Sequence, residues 1–118
     1  METNSQVQFR HYYSCEYGND GGNVSISTNN GVVWNLIYPV SGYNGYSLNG
    51  LNGDPGWTGN SDGWQLAIFD LSQYAGQSVM FRFRFGSDGE ISGPGWFIDD
   101  FTVSGVNLKT GYLYGVVY

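Results

Sequence analysis

Gly95-Trp96-Phe97-Ile98-Asp99-Asp100-Phe101-Thr102-Val103 is the stretch on which the reading of the fold turns. Aromatic and β-branched residues dominate it, and Gly95 and Gly105 bound it, so it is expected to form a β-strand. A strand alternates its faces, which puts Phe97, Asp99, Phe101 and Val103 on one side and Trp96, Ile98, Asp100 and Thr102 on the other. Both sides carry large apolar residues, so at least one carboxylate is expected where an unpaired charge is costly. It then needs a cation, an arginine or several N–H donors.

Immediately upstream, Ser78 to Phe85 alternates cleanly, with Val79, Phe81, Phe83 and Phe85 on one face and Met80, Arg82 and Arg84 on the other. Gly86-Ser87-Asp88-Gly89-Glu90 turns that strand into the Asp-Asp strand. Further back, Trp64 to Leu71 reads as a strand, and Ser72 to Gln77 as a turn with one helical turn ended by Gly76. Val24-Ser25-Ile26-Ser27-Thr28 and Val32 to Tyr38 flank Asn29-Asn30-Gly31, a hairpin signal, since Asn and Gly tolerate positive φ. In the first of these strands the apolar residues are expected inward and the small polar ones outward. Val7 to Cys15 is the first strand, and the turn from Glu16 to Gly22 carries two acids. Residues 39–63 form a long Gly- and aromatic-rich loop, a length usually tied to function or to poor order. The uncharged apolar tail after Lys109 must be paired, since an exposed strand of this kind aggregates.

The chain's 118 residues suit one domain able to bury a core. Aromatics at 18%, 19 glycines and only 12% charged residues favour short strands and tight turns over helix. Ten acids against four bases, a net charge of −6, exclude nucleic acid as a partner. No apolar run approaches the roughly 18 residues of a membrane helix, and no signal peptide precedes the first strand. If the protein is secreted, as few-charge Asn/Gly/Tyr-rich β-domains often are, the chain is expected to be a mature form or an excised piece. Cys15, alone, cannot form an internal disulfide and reads as a small buried hydrophobe.

In order and spacing, two groups of motifs resemble bacterial MAM-like jelly rolls, as found with immune-inhibitor-A-type secreted metallopeptidases and the adhesin regions of surface proteases. The first is Phe9-Arg10-His11-Tyr12-Tyr13, Glu16 to Gly22 and Val24 to Trp34. The second is Trp64, Phe69 to Gln77, Arg82 to Phe85, Ser87-Asp88-Gly89 and Gly95 to Asp100. The resemblance covers roughly residues 7–104. It implies an all-β, two-sheet antiparallel jelly-roll sandwich over 1–118, extracellular and without catalysis of its own. It also implies a structural Ca²⁺ held by Glu16, Asp20 and one or both of Asp99 and Asp100, with carbonyls near Gly18 or Asn19 completing a shell of six to eight hard oxygens. Two departures stand out. Only Met1 to Gln6 precede the first strand, where the family has one or two further strands, and Val106 to Tyr118 extends beyond its usual end. The tail then either fills the missing strand's place in its own chain or is donated to another copy, unless the piece is simply excised.

The alternatives for the four acids are turn amides or pairing with Arg10, Arg82 or Arg84. His11, with no second His or nearby thiolate, reads as a hydrogen-bonded structural residue. No Ser-His-Asp order or zinc motif appears, so the chain reads as non-enzymatic. Tyr43, Tyr46, Trp57 and Trp64 offer a stacking platform for sugars or, in the plainer reading, cap the open end of the sandwich. The function expected is therefore a calcium-stabilised adhesion or ligand-binding module. Its partner would be a cell-surface or matrix glycan or protein. A self-assembling fibre subunit, whose partners are copies of itself, is the alternative.

Overall fold

The computed structural model describes residues 5–87 and 95–117, with side chains to residue 108 in the second span. Within them lie β1 (Gln6–Ser14), β2 (Gly21–Ser27), β3 (Asn35–Ile37), β4 (Gln65–Asp70), β5 (Ser78–Gly86), β6 (Gly95–Ser104) and β7 (Asn107–Val117). The strands make two sheets, ordered β4-β1-β6 and β3-β2-β5-β7, that pack as an all-β sandwich. The turn expected at 86–90 falls outside the described residues from Asp88 onward.

The core sits between the sheets, where alternate residues of β1 (Val7, Phe9), β2 (Val24, Ile26), β4 (Phe69) and β5 (Val79, Phe81) are nearly or wholly withdrawn from solvent. Each such side chain contributes about 1.5–3 kcal/mol of transfer free energy. The alternation expected in β5 holds, and its second face is covered as well. Arg84 donates from Nη1 to Asp54 Oδ2 at 2.9 Å, and Arg82 lies 4.9 Å over the Trp34 ring. That cover also changes β2. Ser25 and Ser27, expected to face out, are buried, because β2 is central in its sheet and Arg82, opposite Ser25, is folded down by Trp34.

The hairpin is confirmed but wider than expected: Asn30 and Gly31 take φ of 62° and 84°, while β3 begins only at Asn35. Ser27 Oγ accepts from the amides of Asn29 and Gly31, and Asn29 Oδ1 accepts from Val33, so side chains replace ladder bonds through the turn.

Two expectations are corrected. The sheets are not wholly antiparallel: β7 runs parallel to β5, from Ser78↔Asn107 to Phe85↔Val117. Gly105, at φ 77°, carries the chain out of one sheet and into the other within two residues, and the direction of β7 follows from that crossing. The tail thus finds a partner strand within its own chain. The second correction concerns β6. Its register against β1 slips between Gln8↔Thr102 and Arg10↔Asp99, leaving one extra residue in β6, and Asp100 sits there at φ 55°. Such a bulge shifts the side-chain phase by one. Trp96 and Ile98 before it and Phe101 and Val103 after it all pack on the core, while Phe97, Asp99 and Asp100 are exposed. Neither carboxylate is therefore buried.

Residues 39–63 are ordered as a plug over one end of the sandwich. Gly45 and Gly56 exchange backbone hydrogen bonds, as do Gly22 and Trp57; Cys15 donates to Gly59 O and Ser61 to Tyr13 O. The loop thereby ties the end of β1 to the start of β2. Its short 3₁₀ turn, Asn49–Leu51, lies directly on β5, where a Cβ at Gly86 would collide with the backbone carbonyl of Gly50. Gly86→Ala is expected to cost about 1–3 kcal/mol through that overlap, measured by urea denaturation. Unchanged stability would show that the loop does not rest on β5.

Candidate functional site

A cleft of about 280 Å³ lies on the side of the sandwich, bounded by β1, β4 and the loop residues 39–44 and 57–61. It is positioned by the chain's path: Val40 donates its amide to Ile68 O, so the segment leaving β3 lies along the edge of β4. His11, Tyr13 and Ala67 enter from the sheet, and Ser41, Tyr43, Asn44, Trp57, Asn60 and Gln65 from the loop and its junction.

His11 is buried at 2% exposure, with its ring 4.3 Å from Trp57 and in contact with Phe9, Tyr13 and Trp96. Burial lowers its pKa to about 4, so the ring is neutral at ordinary pH. Trp96 Nε1 donates to His11 Nδ1 at 3.0 Å. Nδ1 therefore carries a lone pair, and the ring proton sits on Nε2. This agrees with the structural, hydrogen-bonded role expected of His11. Among the described residues Nε2 has no hydrogen-bond partner.

The rim is built from amides. Asn60 Oδ1 accepts from the Asp62 amide, which leaves its NH₂ group spare; Gln65 Nε2 donates to Ser61 O, which leaves Oε1. Asn44 is fully engaged: its side chain donates to Thr58 O and accepts from Thr58 N. Among the described residues no Asp, Glu, Lys or Arg lines the cleft.

The four aromatics read together from the sequence are split. Tyr43 is buried, donating its hydroxyl to Ile37 O and accepting from Val24 N, and burial raises its pKa. Trp57 is buried against six rings: Phe9, His11, Tyr13, Tyr43, Phe69 and Trp96. Both Tyr43 and Trp57 line the cleft but are less than a tenth exposed. Tyr46 and Trp64 are exposed at 88% and 51%, and Trp64 packs on Tyr12 outside the cleft. A four-ring platform is not formed, because Tyr43 and Trp57 are drawn inward to close the end of the core.

The four acids are split as well. Asp20, 1% exposed, accepts from the Glu16 amide through Oδ2 inside their shared turn, one of the alternatives the sequence left open. Asp99 lies opposite Arg10, four residues short of Ser14, where β1 ends and that turn begins. At about 3.3 Å per residue this is on the order of 13 Å of strand. Asp99 Oδ1 accepts instead from the Asp100 amide at 2.8 Å. Glu16 and Asp20 therefore do not share one site with Asp99 and Asp100, and among the described residues no three metal-ligating side chains converge. Cys15, half-buried with its pKa raised by desolvation, points Sγ at the carbonyls of Asp20 and Gly59.

Sequence reasoning had weighed His11 without placing it in a site, and had not picked out Asn60 or Gln65. A polar residue facing inward on the first strand was the one available signal.

Comparison with known proteins finds partial similarity to two bacterial proteins. Over 46 residues, 39% of its length, it is 46% identical to the pre-pro-metalloprotease PrtV of Vibrio cholerae serotype O1, 5% of that protein. Over 48 residues, 41% of its length, it is 38% identical to Bacillopeptidase F of Bacillus subtilis, 3% of that protein. No family model and no solved structure matches the chain. The sequence is thus similar, over about two-fifths of its length, to a small segment of each of two bacterial peptidase proteins.

Proposed function

We propose that this domain is a non-catalytic module accompanying an extracellular bacterial peptidase, and that it binds a ligand in the lateral cleft. The observation that carries the reading is a concave, uncharged site whose wall includes a buried imidazole with a spare N–H donor. Similarity to small segments of two peptidase proteins supports the accessory role and the extracellular setting. A non-catalytic role is supported by the placement of the chain's single His and Cys: His11 is held by Trp96 and Cys15 by carbonyls, so they make no nucleophile–base pair.

The test is a titration of the ¹⁵N-labelled chain with three probes: methyl glycosides, N-acetyl amino-acid amides and short anionic peptides, each to about 50 mM. That range detects affinities near the millimolar limit. Saturable shifts of the Trp96 indole N–H and of the Asn60 and Gln65 side-chain amides are expected with one class. No shift with any class would sink the cleft as a binding site.

The calcium implied by the resemblance enters this reading at the Glu16–Asp20 turn alone. At a hundred-fold excess over Kd a bound ion adds about 2.7 kcal/mol. A calcium-dependent rise in melting temperature is expected that Glu16→Gln abolishes and Asp99→Asn leaves intact. A rise abolished by either substitution would restore a site shared by both pairs, and no rise over chelator would remove calcium.

A further inference from the structure

We propose that the cleft takes a single neutral pyranose ring, such as the terminal sugar of a glycan, with one ring hydroxyl accepting from His11 Nε2–H. This rests on the cleft being a binding site, and adds the class of ligand.

Charge is the first argument. Among the described residues the lining holds no carboxylate, Lys or Arg, and its one imidazole is neutral, so a charged ligand would lose its water without gaining a counter-charge from them. The second argument is the pattern of spare hydrogen-bonding atoms. His11 Nε2 and the Asn60 NH₂ group donate, Gln65 Oε1 accepts, and the exposed hydroxyl of Ser41 does either. A ligand that only accepts would leave Gln65 Oε1 unmatched, and an apolar one would leave all of them unmatched. Neighbouring hydroxyls that each donate and accept satisfy the mixture.

Size and wall chemistry narrow the class. A volume of about 280 Å³ has room for one sugar ring. Tyr13, Tyr43 and Trp57 in the lining supply apolar surface against which ring C–H groups can pack. His11 supplies the anchor. It is buried and fixed in one tautomer by Trp96, so its remaining donor is held in place before the ligand arrives.

The experiment uses the whole labelled chain and the methyl glycosides of glucose, galactose, mannose, fucose, xylose and N-acetylglucosamine, with N-acetylglutaminamide as the competing amide probe. At least one glycoside is expected to shift the Trp96 indole resonance saturably, and the amide probe to leave it unmoved. Gln65→Ala and Asn60→Ala, both on the exposed rim, are expected to weaken that glycoside about five-fold each, one lost hydrogen bond, in chains that stay folded and lose only the small stability of one local hydrogen bond. His11→Gln is expected to weaken it further. Shifts from the amide probe alone would overturn the sugar assignment while leaving the cleft a binding site. Glycoside shifts indifferent to Gln65→Ala and Asn60→Ala would place the sugar elsewhere and overturn it too. Silence from every probe would remove both readings together.

Discussion

Trp57→Ala is expected to be the most damaging single substitution in the described core, lowering the unfolding free energy by about 3–5 kcal/mol, the range for emptying a buried Trp site. The side chain is 7% exposed and meets rings from β1 (Phe9, His11, Tyr13), β4 (Phe69), β6 (Trp96) and the loop itself (Tyr43). Its backbone exchanges two hydrogen bonds with Gly22 at the start of β2. The same residue therefore closes the end of the core and staples the loop to both sheets. Loss of the ring leaves a cavity that those neighbours cannot fill together, because each is anchored on a different strand. Trp57→Phe is expected to fall between the two, since it keeps an aromatic face but shortens the reach. The measurement is urea denaturation followed by far-UV circular dichroism. A cost below about 1 kcal/mol for Trp57→Ala, the size of an ordinary surface change, would mean that the loop closes the sandwich without this ring. The cleft would then lack its inner wall.

The same residue shows where sequence reading succeeded and where it stopped. The all-β class was legible from β5, whose alternation survives intact, and from Asn30-Gly31, whose positive φ values match the residue types. Residues 39–63 were legible as a long aromatic loop, and the plainer reading, that it caps the sandwich, is the one its packing supports. What it packs on was not legible. Trp57 sits in a Gly-rich stretch without periodicity, so nothing local says whether its ring turns in or out. The bulge at Asp100 was hidden for a related reason. A period-two pattern cannot reveal a single inserted residue when both faces carry aromatics, and the phase error carried through to both carboxylates. The calcium set drawn from the resemblance depended on that strand's register, which only pairing with β1 defines. The cleft depends on juxtaposition: Trp96 and His11 are 85 positions apart, and Gln65 reaches the rim only because β4 pairs with β1.

Acid titration of stability is expected to report the His11–Trp96 pair directly. An unfolded histidine titrates near 6.5, whereas in the folded chain burial holds His11 at about 4. Between those values the unfolded state binds more protons, so folding loses stability as pH falls through the window. The contribution is fully present above about pH 6.5 and lost below about pH 4, a fall of about 3 kcal/mol. Four rings face His11, those of Phe9, Tyr13, Trp57 and Trp96, and only Tyr13 among them titrates, with its own pKa raised by burial. No carboxylate is among them to hold the imidazolium. Protonation at Nδ1 also turns an acceptor into a donor facing the Trp96 indole N–H, so the 3.0 Å bond must break as the ring charges. Carboxylates elsewhere titrate over part of the same range, which makes the difference between wild type and His11→Gln the informative quantity. That difference is expected to shrink steadily from pH 6.5 to 4, because only the wild type carries the histidine's proton linkage. Denaturation curves at several pH values give the difference, and the imidazole proton resonance gives the folded-state pKa independently. Parallel profiles for the two proteins, with a resonance midpoint near 6.5, would mean that the ring is solvated, and the tautomer argument for the cleft would fall with it.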